Sequence, residues 1–245
     1  MYNYKLTIQY DGGRYKGWQR LGGGENTVQG RIEHVLSEMV GYELEIIGCS
    51  RTDAGVHAIA QIANVKLKEY VPEDEIKSYL CRYLPQDISV TSVAPVDGGF
   101  HARYLAKDKT YLYKIWNEEY SNPFMRKYSM HIKQKLHVAA MEEASRYFLG
   151  EHDFTAFSNA KSKKKSMVRT IISIRFEAAG GFLDIRIRGD GFLYNMVRWM
   201  IGALVEVGLG NRKPEDISQM LLSKERGNTG NLAEACGLYL EKICY

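Results

Sequence analysis

Cysteine and proline are scarce in this chain of 245 residues, which contains four cysteines and five prolines. The cysteines are Cys49, Cys81, Cys236 and Cys244. None of them forms a C-x-x-C pair, and no histidine stands at zinc-ligand spacing, so neither a metal site nor a disulfide framework is expected. Reduced thiols of this kind predict a cytoplasmic protein.

Long apolar runs are also missing. The longest, Trp199 to Val205, is far too short to cross a bilayer, so we expect no membrane partner. Residues 1–10 alternate like a strand and lack the apolar block of a signal peptide. Hydrophobic and charged contents of 45% and 25% are those of an ordinary globular protein.

The charge balance is mildly basic, with a formal net charge of +4 and a pI of about 8.7. This weakly favours a polyanionic partner. The basic residues form two clusters, although lysine-rich stretches are often only solvated loops. The first cluster is Arg103, Lys107, Lys109 and Lys114, and the second is Lys161, Lys163, Lys164, Lys165 and Arg169.

The most informative stretch runs from Gly48 to Ala58 between two apolar runs that are typical of strands. Its small residues allow a close approach of backbone to a ligand, and they hold Arg51 and Asp53 two positions apart. The alternative interpretation is a surface turn with local side-chain to backbone hydrogen bonds.

A single carboxylate beside an arginine suits one kind of chemistry. The cation favours the ionised form of Asp53 in a dry pocket, and an ionised aspartate can act as a nucleophile or a base. No second acid lies in the loop, so paired-carboxylate catalysis has no local support. Asp53 and His57 could instead be metal ligands of a phosphoesterase, although their loop spacing is a weak signal.

The segment from Tyr15 to Arg20 mixes aromatic side chains with cations, a combination that suits stacking on bases beside phosphates. The alternative is that Trp18 packs on the core.

The first part of the chain predicts the order β-α-β-β-α-β of a split βαβ unit. The elements are a strand over Tyr4–Tyr10, a helix opened by Asn26 with a capping box to Gln29 and ended by Gly41, strands on each side of the Gly48 loop, a helix beginning at Pro72 and a strand over residues 88–94.

The second part predicts a variation on this unit. Its elements are a strand over Lys109–Trp116, a helix over Leu136–Leu149, a hairpin around Gly180–Gly181, helices over Phe192–Val207 and Pro214–Leu222, and a last strand from Leu238. We therefore predict an α+β fold of two similar split-βαβ-like halves. Mainly antiparallel sheets would join around a central active-site cleft, with helices on the outer face. The halves would be residues 1–99, carrying the loop, and 100–245.

One stripe of the Phe192–Val207 helix lies away from its apolar face, at about 100° per residue. It contains Asn195, Arg198 and Gly202, where a glycine would let another backbone approach. Arg198 is either aimed into the cleft or is an ordinary exposed helix arginine.

Motifs in a fixed order along nearly the whole chain carry a resemblance. They are Tyr10-Asp11-Gly12, Gly17-Trp18-Gln19, Thr27-Val28-Gln29, Ser50 to His57, Phe100-His101-Ala102-Arg103-Tyr104, Tyr111-Leu112-Tyr113, His152 to Phe157, Gly191 to Arg198, and Gly237-Leu238-Tyr239-Leu240. In these the chain resembles the tRNA pseudouridine synthase A (TruA-type) family.

The resemblance implies an isomerase that converts uridine to pseudouridine in the anticodon arm of tRNA, at positions 38 to 40, without metal or cofactor. It implies that Asp53 is the catalytic aspartate and that Arg51 displaces or holds the target nucleotide. Tyr111 would stack on the target base, and Arg198 would pair with Asp53. It further implies a homodimer that grips tRNA across both subunits, with the basic clusters holding phosphates.

Two segments depart from the family's pattern. Cys81 to Pro85 lacks the usual Asn before Leu-Pro, and Leu232 to Cys236 replaces the usual Thr-Ala-Pro. An alternative function is therefore a divergent RNA-binding member that acts at another RNA site or as an RNA chaperone. Such a protein would not require Arg51, Asp53, Tyr111 and Arg198 together.

Overall fold

A computed structural model describes residues 1–24, 26–159, 166–225 and 229–245, which form two compact units. The first unit comprises Met1–Lys107 and Tyr239–Tyr245, and the second comprises Asp108–Leu238. The domains expected from the sequence, 1–99 and 100–245, differ from these units in residues 100–107 and in the last strand. That domain assignment stays a prediction.

The first unit has the predicted order of strands and helices. Its elements are β1 (Tyr2–Tyr10), α1 (Val28–Val40), β2 (Ile46–Gly48), β3 (His57–Leu67), α2 (Glu73–Tyr83) and β4 (Ile88–Val96). The strands lie in the order β4-β1-β3-β2, and each neighbouring pair is antiparallel. This is the sheet of a split βαβ unit, as the sequence predicted.

Alternation explains this sheet. In β1 the side chains of Tyr4, Leu6 and Ile8 are buried on one face, because successive residues of a strand point to opposite sides. The helix α1 buries Val28, Ile32 and Leu36, which recur at helical spacing.

The start of α1 differs from the prediction. Thr27, not Asn26, is the N-cap, and its side chain accepts a hydrogen bond from the amide of Gly30. Gln29 makes no capping box, because its Oε1, the atom that would accept from the N-cap amide, accepts instead from Arg20 N at 3.1 Å. Its Nε2 donates to Glu33 Oε1 at 2.8 Å and to Ile46 O at 3.1 Å. Contacts outside the first helical turn therefore replace the local one.

The second unit contains the next elements along the chain. They are β5 (Asp108–Trp116), β6 (Met130–His131), α3 (Val138–Ser145) followed by a 3-10 turn (Arg146–Phe148), β7 (Gly150–Asp153), β8 (Val168–Ala179), β9 (Phe182–Gly189), α4 (Met196–Gly208) and α5 (Asp216–Ser223). The strands β5-β9-β8-β7 form antiparallel pairs, and β6 pairs with β5 in parallel.

The hairpin of β8 and β9 turns at Gly180 and Gly181, which have φ values of +57° and +82°, so the predicted hairpin is confirmed. A last strand, β10 (Leu238–Cys244), pairs in parallel with β3 of the first unit through Tyr239 and Leu240. The predicted α+β class with mainly antiparallel sheets is confirmed, and the central cleft stays a prediction.

Two helices are shorter than predicted. α4 begins at Met196 and not at Phe192, because Asn195 has a left-handed backbone with φ of +62° and breaks the helical path. α3 ends at Ser145 and tightens into the 3-10 turn before Leu149. The short strands β6 and β7 were missed, since two to four residues carry too little alternation to detect.

Two sequence features remain to be placed. Lys161, Lys163, Lys164 and Lys165 lie outside the described residues, whereas Arg169 of that cluster belongs to β8. In the described ranges, no helix is both long and apolar enough to cross a membrane.

Candidate active site

The loop between β2 and β3 alternates between buried and accessible side chains. Ser50 and Thr52 are 5% and 6% exposed, whereas Arg51 is exposed and Asp53 is half-buried. The small hydroxyl residues therefore lie on the buried side of the loop, and the arginine and the carboxylate lie on its accessible side.

Gln61 of β3 fixes the start of this loop. Its side chain is fully buried, accepts a hydrogen bond from Ser50 N at 3.2 Å and donates one to Ser50 O at 2.6 Å. Cys49 N donates to Ile62 O at 2.8 Å beside it. A buried amide that satisfies both groups of one residue holds the backbone in a single position.

Thr52 is held from two other sides. Its carbonyl accepts a hydrogen bond from Trp18 N at 3.0 Å, and its hydroxyl lies 2.7 Å from the hydroxyl of Tyr10 in β1. Both side chains are buried. Breaking one partner of a buried hydrogen bond costs about 1–3 kcal/mol, so this pair fixes the residue that precedes Asp53.

Two glycines outside the loop let its backbone pack closely. A Cβ at Gly17, where φ is +100°, would lie 2.7 Å from Thr52 O and 3.2 Å from Asp53 C. A Cβ at Gly12 would lie 1.9 Å from Val56 O. Both glycines belong to the motifs before α1, so the sequence contained them but gave no sign of what they contact.

The turn from Asp53 to Val56 closes the loop. Val56 N donates to Asp53 O at 3.1 Å, and Gly55 has a φ of +79°, a left-handed backbone that favours glycine. Asp53 is thus presented on a backbone whose two neighbours, Thr52 and Val56, are buried. A fixed backbone of this kind limits the positions that the carboxylate can take, which favours a catalytic group.

The aromatic segment before α1 does not present Trp18 to a ligand. Trp18 is 2% exposed, and a Cβ at Gly48 would lie 2.3 Å from its indole nitrogen. Packing on the core was therefore the correct interpretation, and stacking of Trp18 on bases was wrong. Tyr15 is also buried and donates to Asp87 Oδ1 at 2.6 Å; burial and this hydrogen bond raise the pKa of Tyr15 to about 12.

His57 is engaged within the first unit. Its Nδ1 accepts a hydrogen bond from Gly12 N at 3.1 Å and lies 3.1 Å from Asp11 Oδ1, and its ring stacks on Tyr239 at 4.8 Å. Across the residues that the structure describes, no group of three or more His, Cys, Asp or Glu side chains could hold a metal ion. The geometry around Asp53 and His57 therefore gives no support to a metal-dependent phosphoesterase.

Arg51 makes no side-chain hydrogen bond or ion pair within the described part of the chain. Arg51 and Asp53 lie two positions apart in the loop, and the role of Arg51 in keeping Asp53 ionised stays a prediction. The guanidinium group lies at the accessible side of the loop with its five N–H donors available to a ligand.

Tyr111 lies in β5 of the second unit, opposite Ile187 of β9. It is 8% exposed, and its ring makes an edge-to-face contact with the ring of Phe192, with centroids 5.1 Å apart. At the start of β5, Arg188 forms a two-pronged pair with Asp108, with Nε–Oδ1 and Nη2–Oδ2 distances of 2.9 and 2.7 Å. These contacts fix the strand that carries Tyr111.

Arg198 lies on α4 of the second unit. Its Nε donates to Ala233 O at 2.7 Å, and its Nη1 donates to Asn195 Oδ1 at 3.2 Å. A Cβ at Gly202 would lie 1.8 Å from Asn231 O, which confirms that this glycine allows another backbone to approach. The segment 231–233 therefore covers the helix stripe that the sequence singled out.

The four predicted site residues thus divide between the units. The loop of the first unit carries Arg51 and Asp53, and the second unit carries Tyr111 and Arg198. Their action on one substrate stays a prediction. Sequence reasoning missed Tyr10, Gly12, Gly17 and Gln61, which position the loop; only the motifs at Tyr10–Gly12 and Gly17–Gln19 indicated some of them.

Comparison with known proteins gives a consistent family. A family model described as tRNA pseudouridine synthase matches residues 6–105 and 144–245. A protein of Bacillus sp. (strain KSM-64) named tRNA pseudouridine synthase A is 66% identical over 245 residues, which cover 100% of both chains.

Two further relatives carry a similar name. A protein of Bacillus cereus (strain ZK / E33L) named tRNA pseudouridine synthase A 2 is 62% identical, over 99% of this chain and 99% of its own. A protein of the same name from Clostridium tetani (strain Massachusetts / E88) is 44% identical, over 99% of this chain and 98% of its own. Among solved structures, a Cbf5-Nop10-Gar1 complex matches 82% of this chain and 54% of that chain, at 11% identity and with a TM-score of 0.35.

Proposed function

This chain belongs to the tRNA pseudouridine synthase family, and from that membership we propose that it isomerises uridine to pseudouridine in tRNA with Asp53 as the catalytic residue. The observation that carries the reaction is the full-length similarity to relatives of that name, at 66% and 62% identity. These names favour an isomerase over the alternative of an RNA chaperone without turnover.

The reaction moves the attachment of the uracil base to the ribose from one ring atom of the base to another. The bond between uracil N1 and ribose C1′ breaks, the base turns, and a bond between C5 and C1′ forms, while C5 loses a proton and N1 gains one. Substrate and product have the same composition, so the step needs neither an oxidant nor an energy source. An ionised carboxylate can serve it by attack on the sugar, by addition to the base or by removal of a sugar proton.

The loop geometry supports Asp53 in this role. Its neighbours are fixed by Gln61, by the hydroxyl of Tyr10 and by the close approach of Gly17. A reacting group that is held before the substrate arrives does not lose orientational freedom during the reaction, and this contributes to the rate.

Three residues would act on the substrate with Asp53. Arg51, whose guanidinium group is accessible, would hold or displace the target nucleotide. Tyr111 would stack on the extruded base, as aromatic side chains do for bases outside the helix. Arg198 would pair with Asp53 and keep it ionised.

The finer features of the function are also proposals. The target uridines would be positions 38 to 40 of the anticodon arm, and the protein would act in the cytoplasm as a homodimer. Arg103 and Lys107, together with the other residues of the two basic clusters, would hold tRNA phosphates. Each phosphate contact makes binding more sensitive to salt.

Replacing the carboxylate tests the proposal. We expect Asp53→Asn to fold and to bind tRNA with an affinity close to that of the wild type, yet to form no pseudouridine in an unmodified tRNA transcript. Asp74→Asn, which changes an exposed aspartate on α2, is the matched control and should remain fully active. Pseudouridine mapping on RNA from cells with and without the gene identifies the target positions. Full activity of Asp53→Asn would end the assignment.

A further inference from the structure

The segment from Gly98 to Lys107 in the first unit carries a stacked pair of rings, one exposed and one half-buried. The rings of His101 and Tyr104 stack with centroids 4.1 Å apart and an interplanar angle of 26°. Tyr104 is 76% exposed, so one face of its ring rests on the imidazole and most of the remaining surface is open to solvent. None of the roles proposed above uses this pair.

The turn beneath the rings is anchored in the core. Ala102 is fully buried, its amide donates to Asn64 Oδ1 at 2.9 Å, and its carbonyl accepts from the Tyr245 hydroxyl at 2.8 Å. Ala102 also packs with Cys49 and Ile62 in one hydrophobic cluster. A turn held on both sides of one residue cannot easily fold its rings away.

The imidazole is fixed as well. Nδ1 of His101 accepts hydrogen bonds from Arg103 N at 3.2 Å and from Tyr104 N at 3.3 Å. Two backbone amides on one ring nitrogen fix the plane of the imidazole relative to the turn. The stacked pair therefore has its geometry before any ligand binds.

The turn that carries the pair contains two cations, Arg103 and Lys107, which are both exposed. Carboxylates flank the turn only at its ends, as Asp97 and as Asp108, which is paired with Arg188. Single exposed tyrosines are common and need no explanation. A tyrosine that is rigidly stacked, open on its outer face and flanked by cations has the composition that proteins use for unpaired nucleotides.

We propose that His101 and Tyr104 form a stacking platform for an unpaired base of the RNA substrate, with Arg103 contacting a flanking phosphate. The platform rests on the proposed function, because it takes tRNA as its ligand, but it adds a stacking site made of residues other than Arg51, Asp53, Tyr111 and Arg198. Its ligand is a single-stranded nucleotide, since the faces of a base inside a duplex are covered by the bases stacked above and below it.

Equilibrium binding tests the platform without turnover. In the Asp53→Asn background, we expect Tyr104→Ala to weaken binding of an unmodified tRNA transcript about 5- to 150-fold, the range for loss of one stacked base. Tyr104→Phe keeps the ring and should stay within about twofold of the parent. Tyr70→Ala removes a 58% exposed tyrosine of the same unit and is the matched control, for which no change is expected.

Two further measurements separate stacking from charge. Arg103→Ala should lower the slope of binding against salt by about one phosphate contact. An RNA duplex of the same length should bind Tyr104→Ala and the parent equally, because it has no unpaired base. Equal loss on duplex and tRNA would overturn the platform.

The platform and the proposed function fail in different ways. The platform is wrong if Tyr104→Ala binds tRNA like the parent while Asp53→Asn still abolishes pseudouridine formation. If Asp53→Asn is active, the proposed function fails, whatever Tyr104→Ala does to binding.

Discussion

Gly12→Ala is expected to damage the site without touching any residue that would contact the substrate. A Cβ at Gly12 would lie 1.9 Å from the carbonyl oxygen of Val56, and real Cβ contacts below 3.0 Å are essentially absent. The carbonyl would have to move by about 1 Å. It belongs to the backbone of the turn that Asp53 opens, so it cannot rotate aside like the end of a flexible side chain.

The magnitude follows from this overlap. Forcing an extra carbon into a packed region costs about 1–3 kcal/mol. For a chain of this size each kcal/mol lowers Tm by about 2–4 °C, so we expect a fall of roughly 2–12 °C. A displacement of about 1 Å at a catalytic group lowers the rate by about 100-fold, and we expect that loss mainly in kcat.

The neighbouring glycine provides the control. A Cβ at Gly13 would lie 3.1 Å from Asp11 Oδ1, a side-chain atom that would need to shift by only a few tenths of an ångström. Gly13→Ala should therefore keep Tm within about 2 °C and kcat within about threefold of the wild type.

Thermal unfolding and single-turnover pseudouridine formation with excess enzyme measure the two effects. If Gly12→Ala matches Gly13→Ala in both, the close packing of Gly12 on Val56 does not position the loop. If Gly12→Ala is as stable as the wild type but inactive, the overlap is relieved by moving the loop alone, and the positioning argument stands.

Two predictions concern titratable groups. Burial, followed by a hydrogen bond with the Glu234 carboxylate, raises the pKa of the Cys236 thiol from 9.0 to about 11. At pH 8 this shift makes the thiolate fraction of Cys236 about 100-fold smaller than that of a thiol with a pKa of 9.0. A thiolate of higher pKa is more nucleophilic, which offsets part of this difference. Iodoacetamide should therefore modify Cys236 at least about tenfold more slowly than the exposed Cys81. Equal rates in peptide mapping would contradict this. The pKa of Tyr15 is raised from 10.0 to about 12; the folded protein therefore holds this proton longer than the unfolded chain, and stability should fall as pH rises from about 10 to 12. Tyr15→Phe has no hydroxyl to titrate, so its urea unfolding midpoint should fall less between pH 9 and 11 than that of the wild type. Equal decreases of the midpoint in both proteins would refute the argument.

Much of the fold was determined by local sequence. The alternation of β1, the β8–β9 hairpin and the helical spacing of α1 are short-range patterns, and each depends on residues that are near one another in the chain. The loop from Gly48 to Ala58 was identified for the same reason. Its candidate aspartate could be named from the sequence because the family's motif is itself a local run of residues.

Contacts between distant residues decided the rest. Gln29 makes no capping box because its side-chain oxygen accepts from Arg20, which precedes the helix in the chain. Trp18 is buried because Gly48 leaves room for its indole ring. The approach of Gly12 to Val56 and of Tyr10 to Thr52 joins segments more than 40 residues apart. The sequence alone shows which residues are small or polar. Their contact partners are decided only in the tertiary structure, because the sheet brings together strands that are distant in the chain.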